Sequence, residues 1–243
     1  MQEDDLRPGG ADRSATPTAR SPSGAAAACV LFDLDGTLID SAPGLAAVAN
    51  AMRAERGLVP LPYAELRPMA GSGARGMLAR AFAIAPGADE YTLLRDEFHD
   101  RYEAVMMHGA EPFTGVEALL DDLDARGLRW GIVTNKARRF AGPMVQASTV
   151  LRRAAALVCG DCTPHTKPHP APLLEAARRL GEEPARCTYV GDDARDIQAG
   201  RAAGMATVAA AWGYLGPGAS VQAWNAAHII EVPADLLSCL DLP

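Results

Sequence analysis

The sequence predicts an α/β fold, and three observations carry that prediction. From Thr114 onward helical and strand patterns alternate, which implies a parallel sheet covered by helices on both faces. Near the start, the brief apolar run Val30 to Phe32 ends abruptly in turn-forming residues and reads as a buried strand. Between these regions, about Pro43 to Pro112 shows helical spacing and no convincing strand. The expected architecture is a Rossmann-like parallel sheet core, residues 25–42 and 113–243, interrupted after its first strand by an all-helical insertion over 43–112.

Each element has a local reason. Asp40-Ser41-Ala42-Pro43 is a helix start, with capping residues followed by Pro in the first turn. Leu45, Val48, Ala49 and Met52 then recur at helical spacing up to Gly57. Pro60, Pro62 and Pro68 break the next piece, Met77, Leu78, Ala81 and Phe82 suggest a second helix, and Tyr91, Leu94, Phe98, Tyr102, Val105 and Met106 trace a third. An aromatic stripe of this kind reads as plain core. Beyond Thr114, Val116, Leu119, Leu120 and Leu123 line a helix that Gly127 ends, and Leu128 to Val133 is a strand reaching Thr134-Asn135-Lys136. A helix and a short strand at Ala156 to Cys159 follow, then a helix from Pro170 to Leu180. Thr188 to Val190 is a strand ending in Gly191-Asp192-Asp193, and a further helix stops at Gly204. Thr207 to Ala210 and His228 to Ile230 complete the strands.

Composition narrows the partners. The chain has 243 residues, 49% of them hydrophobic, enough for one core with a smaller insertion, and no apolar run is long enough to cross a membrane. A formal net charge of −7 disfavours nucleic acid and anionic membranes, yet permits an anionic small molecule if a metal inverts the local sign. Five scattered cysteines give no disulfide framework, so a reducing cytoplasm is expected, with Cys29, Cys187 and Cys239 as buried small hydrophobes. Residues 1–24, rich in Pro, Ser, Thr, Ala and Arg, read as a disordered extension, a mis-assigned start being the alternative. Ala26-Ala27-Ala28-Cys29 resembles a lipoprotein cleavage site, but no apolar segment precedes it, and Glu3, Asp4 and Asp5 stand where positive charge is needed. The assembly is expected to be a monomer or homodimer.

The chemistry starts at Asp33-Leu-Asp35-Gly36-Thr37. In an extended strand, Asp33 and Asp35 would share one face, and Gly36 allows a sharp turn straight after them. Two neighbouring carboxylates are costly without a cation, and hard oxygen ligands beside a phosphate suit Mg²⁺. The other chemical groups also fall where ligands gather in such sheets, at the carboxyl ends of strands.

Asp33-Leu-Asp-Gly-Thr37 resembles the first motif of the haloacid dehalogenase superfamily, most of whose members are phosphatases. Thr134, Lys167 in Thr166-Lys-Pro-His-Pro170, and Gly191-Asp192-Asp193-Ala-Arg-Asp196 follow in the family's order, so the resemblance covers essentially Cys29 to Leu240. It implies that Asp33 is the nucleophile that becomes an aspartyl-phosphate, and that Asp35 protonates the leaving alcohol and later activates water. That double task requires a pKa near the operating pH, towards which neighbouring carboxylates would raise Asp35. Thr134 and the Asn135 amide would donate to phosphate oxygens, and Lys167 would neutralise charge. Mg²⁺ would be held by Asp33, the Asp35 backbone carbonyl and Asp192, with Asp193 and Asp196 orienting these ligands. Asp35 favours phosphate chemistry over dehalogenation. The insertion resembles the family's cap, in which the flexible loop Gly71-Ser72-Gly73 and Arg75 would meet a substrate anion. The similarity is greatest to phosphoglycolate phosphatases and N-acetylmuramic acid 6-phosphate phosphatases, with Glu55-Arg-Gly-Leu58, Ala74-Arg75 and Trp130 to Lys136 leaning towards the latter. Thr114-Gly115 stands where the family often has Pro-Gly. The implied activity is hydrolysis of a small acidic phosphomonoester. A phosphoglucomutase-like transferase and a non-catalytic phospho-receiver are the alternatives. Cys159, Cys162, His165 and His169 form a competing, tightly spaced zinc-type set.

Overall fold

The computed structural model describes residues 27–218 and 220–240, so the extension expected over residues 1–24 lies outside the described residues. Its main sheet has six strands, all parallel, in the order β5-β4-β1-β6-β7-β8. These are β1 (Cys29–Phe32), β4 (Arg129–Val133), β5 (Leu157–Val158), β6 (Cys187–Gly191), β7 (Ala206–Ala210) and β8 (His228–Ile230). β1 lies between β4 and β6, with Phe32 beside Ile132 on one side and Val190 on the other. The chain therefore winds outward in opposite directions from β1, and a crevice opens at the carboxyl ends of these three strands.

The two-residue period of the strands divides the core into two buried layers. Val30, Phe32, Trp130, Ile132 and Val190 face one layer, with the Phe32 and Trp130 rings edge to face at 6.5 Å. α5 (Val116–Ala125) and α6 (Arg138–Ala147) cover that face with Leu119, Leu120, Leu123, Phe140 and Met144. Cys29, Leu31, Val133, Cys187 and Tyr189 face the other layer, under α7 (Ala171–Leu180) and α8 (Ala194–Ala202). A short α9 (Leu236–Cys239) closes the described chain. Cys29 and Cys187 are buried as expected, whereas Cys239, in the last turn of α9, remains partly exposed.

Between β1 and β4, the insertion comprises α1 (Ala42–Glu55), α2 (Tyr63–Leu66), a 3-10 helix (Arg67–Ser72), α3 (Gly73–Phe82) and α4 (Tyr91–Val105). Its two ends meet in a small antiparallel ladder of β2 (Ile39–Asp40) and β3 (Glu111–Pro112), which the sequence reading missed. Two residues per strand are too few to display a period. Gly71-Ser72-Gly73 also differs from expectation: it is the end of the 3-10 helix running directly into α3, not a flexible loop. Val105 is 37% exposed, so the apolar face of α4 is carried by Tyr91, Leu94, Phe98 and Tyr102. No helix among the described residues is long and apolar enough to cross a membrane.

Candidate active site

β1 ends at Phe32, so strand alternation does not orient the two aspartates; the turn that follows does. The Asp33 amide donates to Val190 O at 2.9 Å, extending the ladder by one bond. Its Oδ1 accepts from the Leu34 amide at 2.7 Å and from Lys167 Nζ at 2.8 Å. Gly36 turns the chain at φ +91°, and a Cβ there would sit 2.1 Å from Asp192 Oδ2, so only glycine fits. Asp192, at the end of β6, is fixed at both oxygens: Oδ1 accepts from Thr37 Oγ1 and Oδ2 from the Tyr214 amide, each at 2.8 Å.

Lys167 reaches across the floor of the crevice. Its buried Nζ contacts Asp33 Oδ1 and Asp196 Oδ1, both at 2.8 Å, Val133 O at 3.0 Å and Tyr189 Oη at 2.8 Å. Asn135 holds the lysine backbone in place: Nδ2 donates to Lys167 O at 3.0 Å and Oδ1 accepts from Lys167 N at 2.9 Å. Thr134 is buried at the end of β4, and its Oγ1 accepts from the Lys136 amide at 3.1 Å.

The carboxylate oxygens of Asp33, Asp192 and Asp196 lie within 4.8 Å of one another. Burial, and then Asp196 and Asp35, push Asp33 up to about 7 against the pull of Lys167. Burial, Asp33 and Asp196 likewise push Asp192 well above the usual carboxylate range. Burial opposes the charge on Lys167, but Asp196 and Asp33 outweigh it and keep the ammonium protonated. One ammonium is insufficient for three carboxylates, and this oxygen-only donor set fits a hard divalent cation. Asp196 is close enough to Asp33 and Asp192 to share a cation with them, besides the orienting role expected of it, in which Oδ1 meets Lys167. It also completes the α8 capping box, accepting from the Asp193 amide at 3.1 Å. Asp193 instead receives Arg195 through Nε at 2.8 Å and Nη2 at 2.8 Å, and that Nη2 also reaches Gly71 O at 2.7 Å.

The Asp35 side chain lies outside this carboxylate group. Its carboxylate still acts on Asp33, but its direct partners are not acids: Oδ1 accepts from Ser41 Oγ at 2.5 Å and Lys136 Nζ at 2.9 Å. Of the expected capping pair before α1, Ser41 makes no side-chain cap, while Asp40 Oδ1 accepts from the Ala42 amide at 3.1 Å; the Tyr214 hydroxyl also accepts from the Ser41 and Ala42 amides. Lys136 was missed as a functional residue, although its position directly after Thr134-Asn135 at a strand end was a usable signal. Its Nζ also donates to Tyr102 Oη at 2.9 Å, so the α4 stripe read as plain core supplies part of the site wall.

A cavity of about 620 Å³ lies over these groups. Asp33, Asp35, Thr134, Lys167 and Asp192 line its floor, and Gly71, Ser72, Gly73 and Arg75 line the side provided by the insertion. Arg95, His99 and Arg139 add cationic or titratable groups. The zinc-type set does not assemble: His165 and His169 face each other with ring centroids 4.3 Å apart, while Cys159 and Cys162 group with Asp161.

The family profile described as "Haloacid dehalogenase-like hydrolase" matches residues 30–210. The chain belongs to this family. An N-acetylmuramic acid 6-phosphate phosphatase of Pseudomonas aeruginosa is 42% identical over 212 residues, covering 87% of this chain and 94% of that protein. A phosphoglycolate phosphatase of Xanthomonas campestris pv. campestris is 48% identical over 207 residues, covering 85% and 93%. A crystal structure described as a predicted phosphoglycolate phosphatase from Haemophilus somnus 129pt superposes with a TM-score of 0.78 at 26% identity, covering 90% of this chain and 99% of that one. The resemblance to haloacid dehalogenase phosphatases is thereby borne out, and the chain is an enzyme of this hydrolase family. Relatives of both names lie at similar identity, so the lean towards the N-acetylmuramic acid group is not decided by overall likeness.

Proposed function

We propose that this hydrolase is a Mg²⁺-dependent phosphatase that cleaves a small acidic metabolite phosphomonoester, of the 2-phosphoglycolate or N-acetylmuramic acid 6-phosphate type, through an aspartyl-phosphate on Asp33. The observation that carries this reading is the division of the two aspartates between two cations. Asp33 lies against Lys167, among carboxylates, whereas Asp35 lies against Lys136 and Ser41 on the side of the insertion.

Asp33 attacks phosphorus in line with the departing alcohol, and Lys167 keeps it oriented and offsets charge on the phosphoryl oxygens. Asp35 gives its proton to the leaving oxygen and then takes one from the attacking water, steered by its bonds to Ser41 and Lys136. Thr134 and the Asn135 amide donate to the phosphoryl oxygens. Asp33, Asp192, the Asp35 carbonyl and Asp196 would hold Mg²⁺, which when bound neutralises the phosphate. Residues 43–112 act as a cap hinged on the β2–β3 ladder, presenting Arg75 to the substrate carboxylate.

Phosphate release from p-nitrophenyl phosphate tests the reaction. Activity should require a divalent cation and fall about a thousandfold or more in Asp33→Asn; indifference to both EDTA and the substitution would refute the mechanism. Ranking 2-phosphoglycolate against N-acetylmuramic acid 6-phosphate by kcat/KM then assigns the substrate type.

A further inference from the structure

The turn after β5 carries two cysteines that the phosphate chemistry does not use. Cys159 is fully buried at the strand's end, Cys162 is partly exposed, and their sulfurs lie within 4.8 Å of each other. Two donors converge on Cys162 Sγ: the Arg138 guanidinium at 3.0 Å and the Cys159 amide at 3.1 Å. The Arg138 amide in turn donates to Asp161 Oδ1 at 3.0 Å, which fixes the start of α6 over the turn. Partial burial opposes ionisation of Cys162, but the Cys159 amide and Arg138 overcome it and hold the thiol below its ordinary range. Burial and the neighbouring Cys162 push Cys159 up to about 12. One sulfur is thus an accessible nucleophile and the other a shielded thiol beside it, the arrangement of an attacking and a resolving cysteine. The guanidinium already balances charge at Cys162, which argues against a metal there.

We propose that Cys162 is a site of reversible oxidation by hydroperoxides, that Cys159 resolves it, and that the disulfide switches the phosphate site off. The Cys162 thiolate attacks one peroxide oxygen, the O–O bond breaks, and water or an alcohol leaves once protonated. Sulfur loses two electrons to the peroxide and becomes a sulfenic acid. The Cys159 sulfur then attacks Cys162, an S–S bond forms, and the displaced hydroxide leaves as water with the Cys159 proton. A dithiol reductant returns both electrons and both protons.

Gly160, between the two cysteines, transmits the change. Its amide donates to Lys136 O at 2.9 Å, and a Cβ on it would stand 2.2 Å from Asn135 O, so the turn presses directly on the backbone of both residues. Asn135 clasps Lys167, and Lys136 reaches Asp35. Drawing the sulfurs in to about 2.0 Å tightens this turn and displaces both lysines from their aspartates.

Peptide mass mapping of the full chain tests the thiol chemistry without relying on turnover, so it stands apart from the phosphatase assignment. Iodoacetamide at pH 7 should label Cys162 about tenfold faster than Cys239 or the buried pair Cys29 and Cys187, and Arg138→Met should remove most of that advantage. Hydrogen peroxide should yield a Cys159–Cys162 disulfide, while Cys159→Ser leaves a sulfenic acid that dimedone traps. Turnover of p-nitrophenyl phosphate should fall on oxidation, recover with dithiothreitol and be insensitive to peroxide in Cys162→Ser. Labelling of Cys162 no faster than Cys239, failure to form the disulfide, or a disulfide without loss of turnover would each overturn the proposal.

Discussion

Lys167 is the charge on which the floor of the site balances, because its buried ammonium separates Asp33 from Asp196. Lys167→Met would leave the acids facing each other without a cation, so metal-free protein should lose about 3–5 kcal/mol of stability in urea unfolding. An unchanged midpoint would show that the acids are compensated some other way. Lys136→Met should leave the fold intact and lower kcat on p-nitrophenyl phosphate by about a hundredfold, since Asp35 then loses the cation that aims it. His99 offers a test in pH. Burial, then Arg139 and Arg95, hold it below its ordinary value of 6.5. The folded state thus resists a proton that the unfolded chain accepts, so this contribution to stability is complete above pH 6.5 and is lost as pH falls through the lower folded value. Between pH 7.5 and pH 5 the wild type should lose more stability than His99→Gln; equal losses would refute this. At this scale Asp33, Thr134, Lys167 and Asp192 were legible because each sits at a strand end or just before a helix. Lys136 had a signal in its place just past a strand end, but its partner, an acid 101 positions away, is supplied only by folding; the same holds for Ser41, whose amide is met by Tyr214 from 173 positions beyond.

Among the elements, β4, β6, β7 and β8 were legible to within two residues at either end, since buried parallel strands are short apolar runs bounded by turns. The 3-10 helix was not, because Gly71-Ser-Gly73 has loop composition and its helical geometry comes from contacts elsewhere. One of these is Arg195, which joins the first turn of α8 to Gly71 of the insertion. Arg195→Met should therefore raise KM severalfold with a smaller change in kcat, measured on the assigned substrate, because the wall of the cavity loosens while Asp33 and Lys167 stay in place. A fall in kcat alone would mean that Arg195 acts on the reacting groups instead.

Over the whole molecule, the winding of the sheet outward from β1 brings distant segments to one crevice, and this much followed from the alternating pattern. The cation set closes that crevice from β1, β6 and α8. If it holds Mg²⁺, a metal concentration about a hundred times Kd should stabilise the protein by about 2.7 kcal/mol, and Asp192→Asn should abolish the gain. The division between insertion and core was less legible, because composition does not show how the two meet. One buried cluster runs from Val30 and Trp130 through Phe140 to Tyr102, Phe98 and Met52, and Phe140 on α6 packs against both His99 and Tyr102 on α4. A chimera that grafts a relative's insertion onto this scaffold would thus inherit a mismatched seam at Phe140 unless α6 travelled with it, so substrate preference in this lineage should not be portable as a cassette.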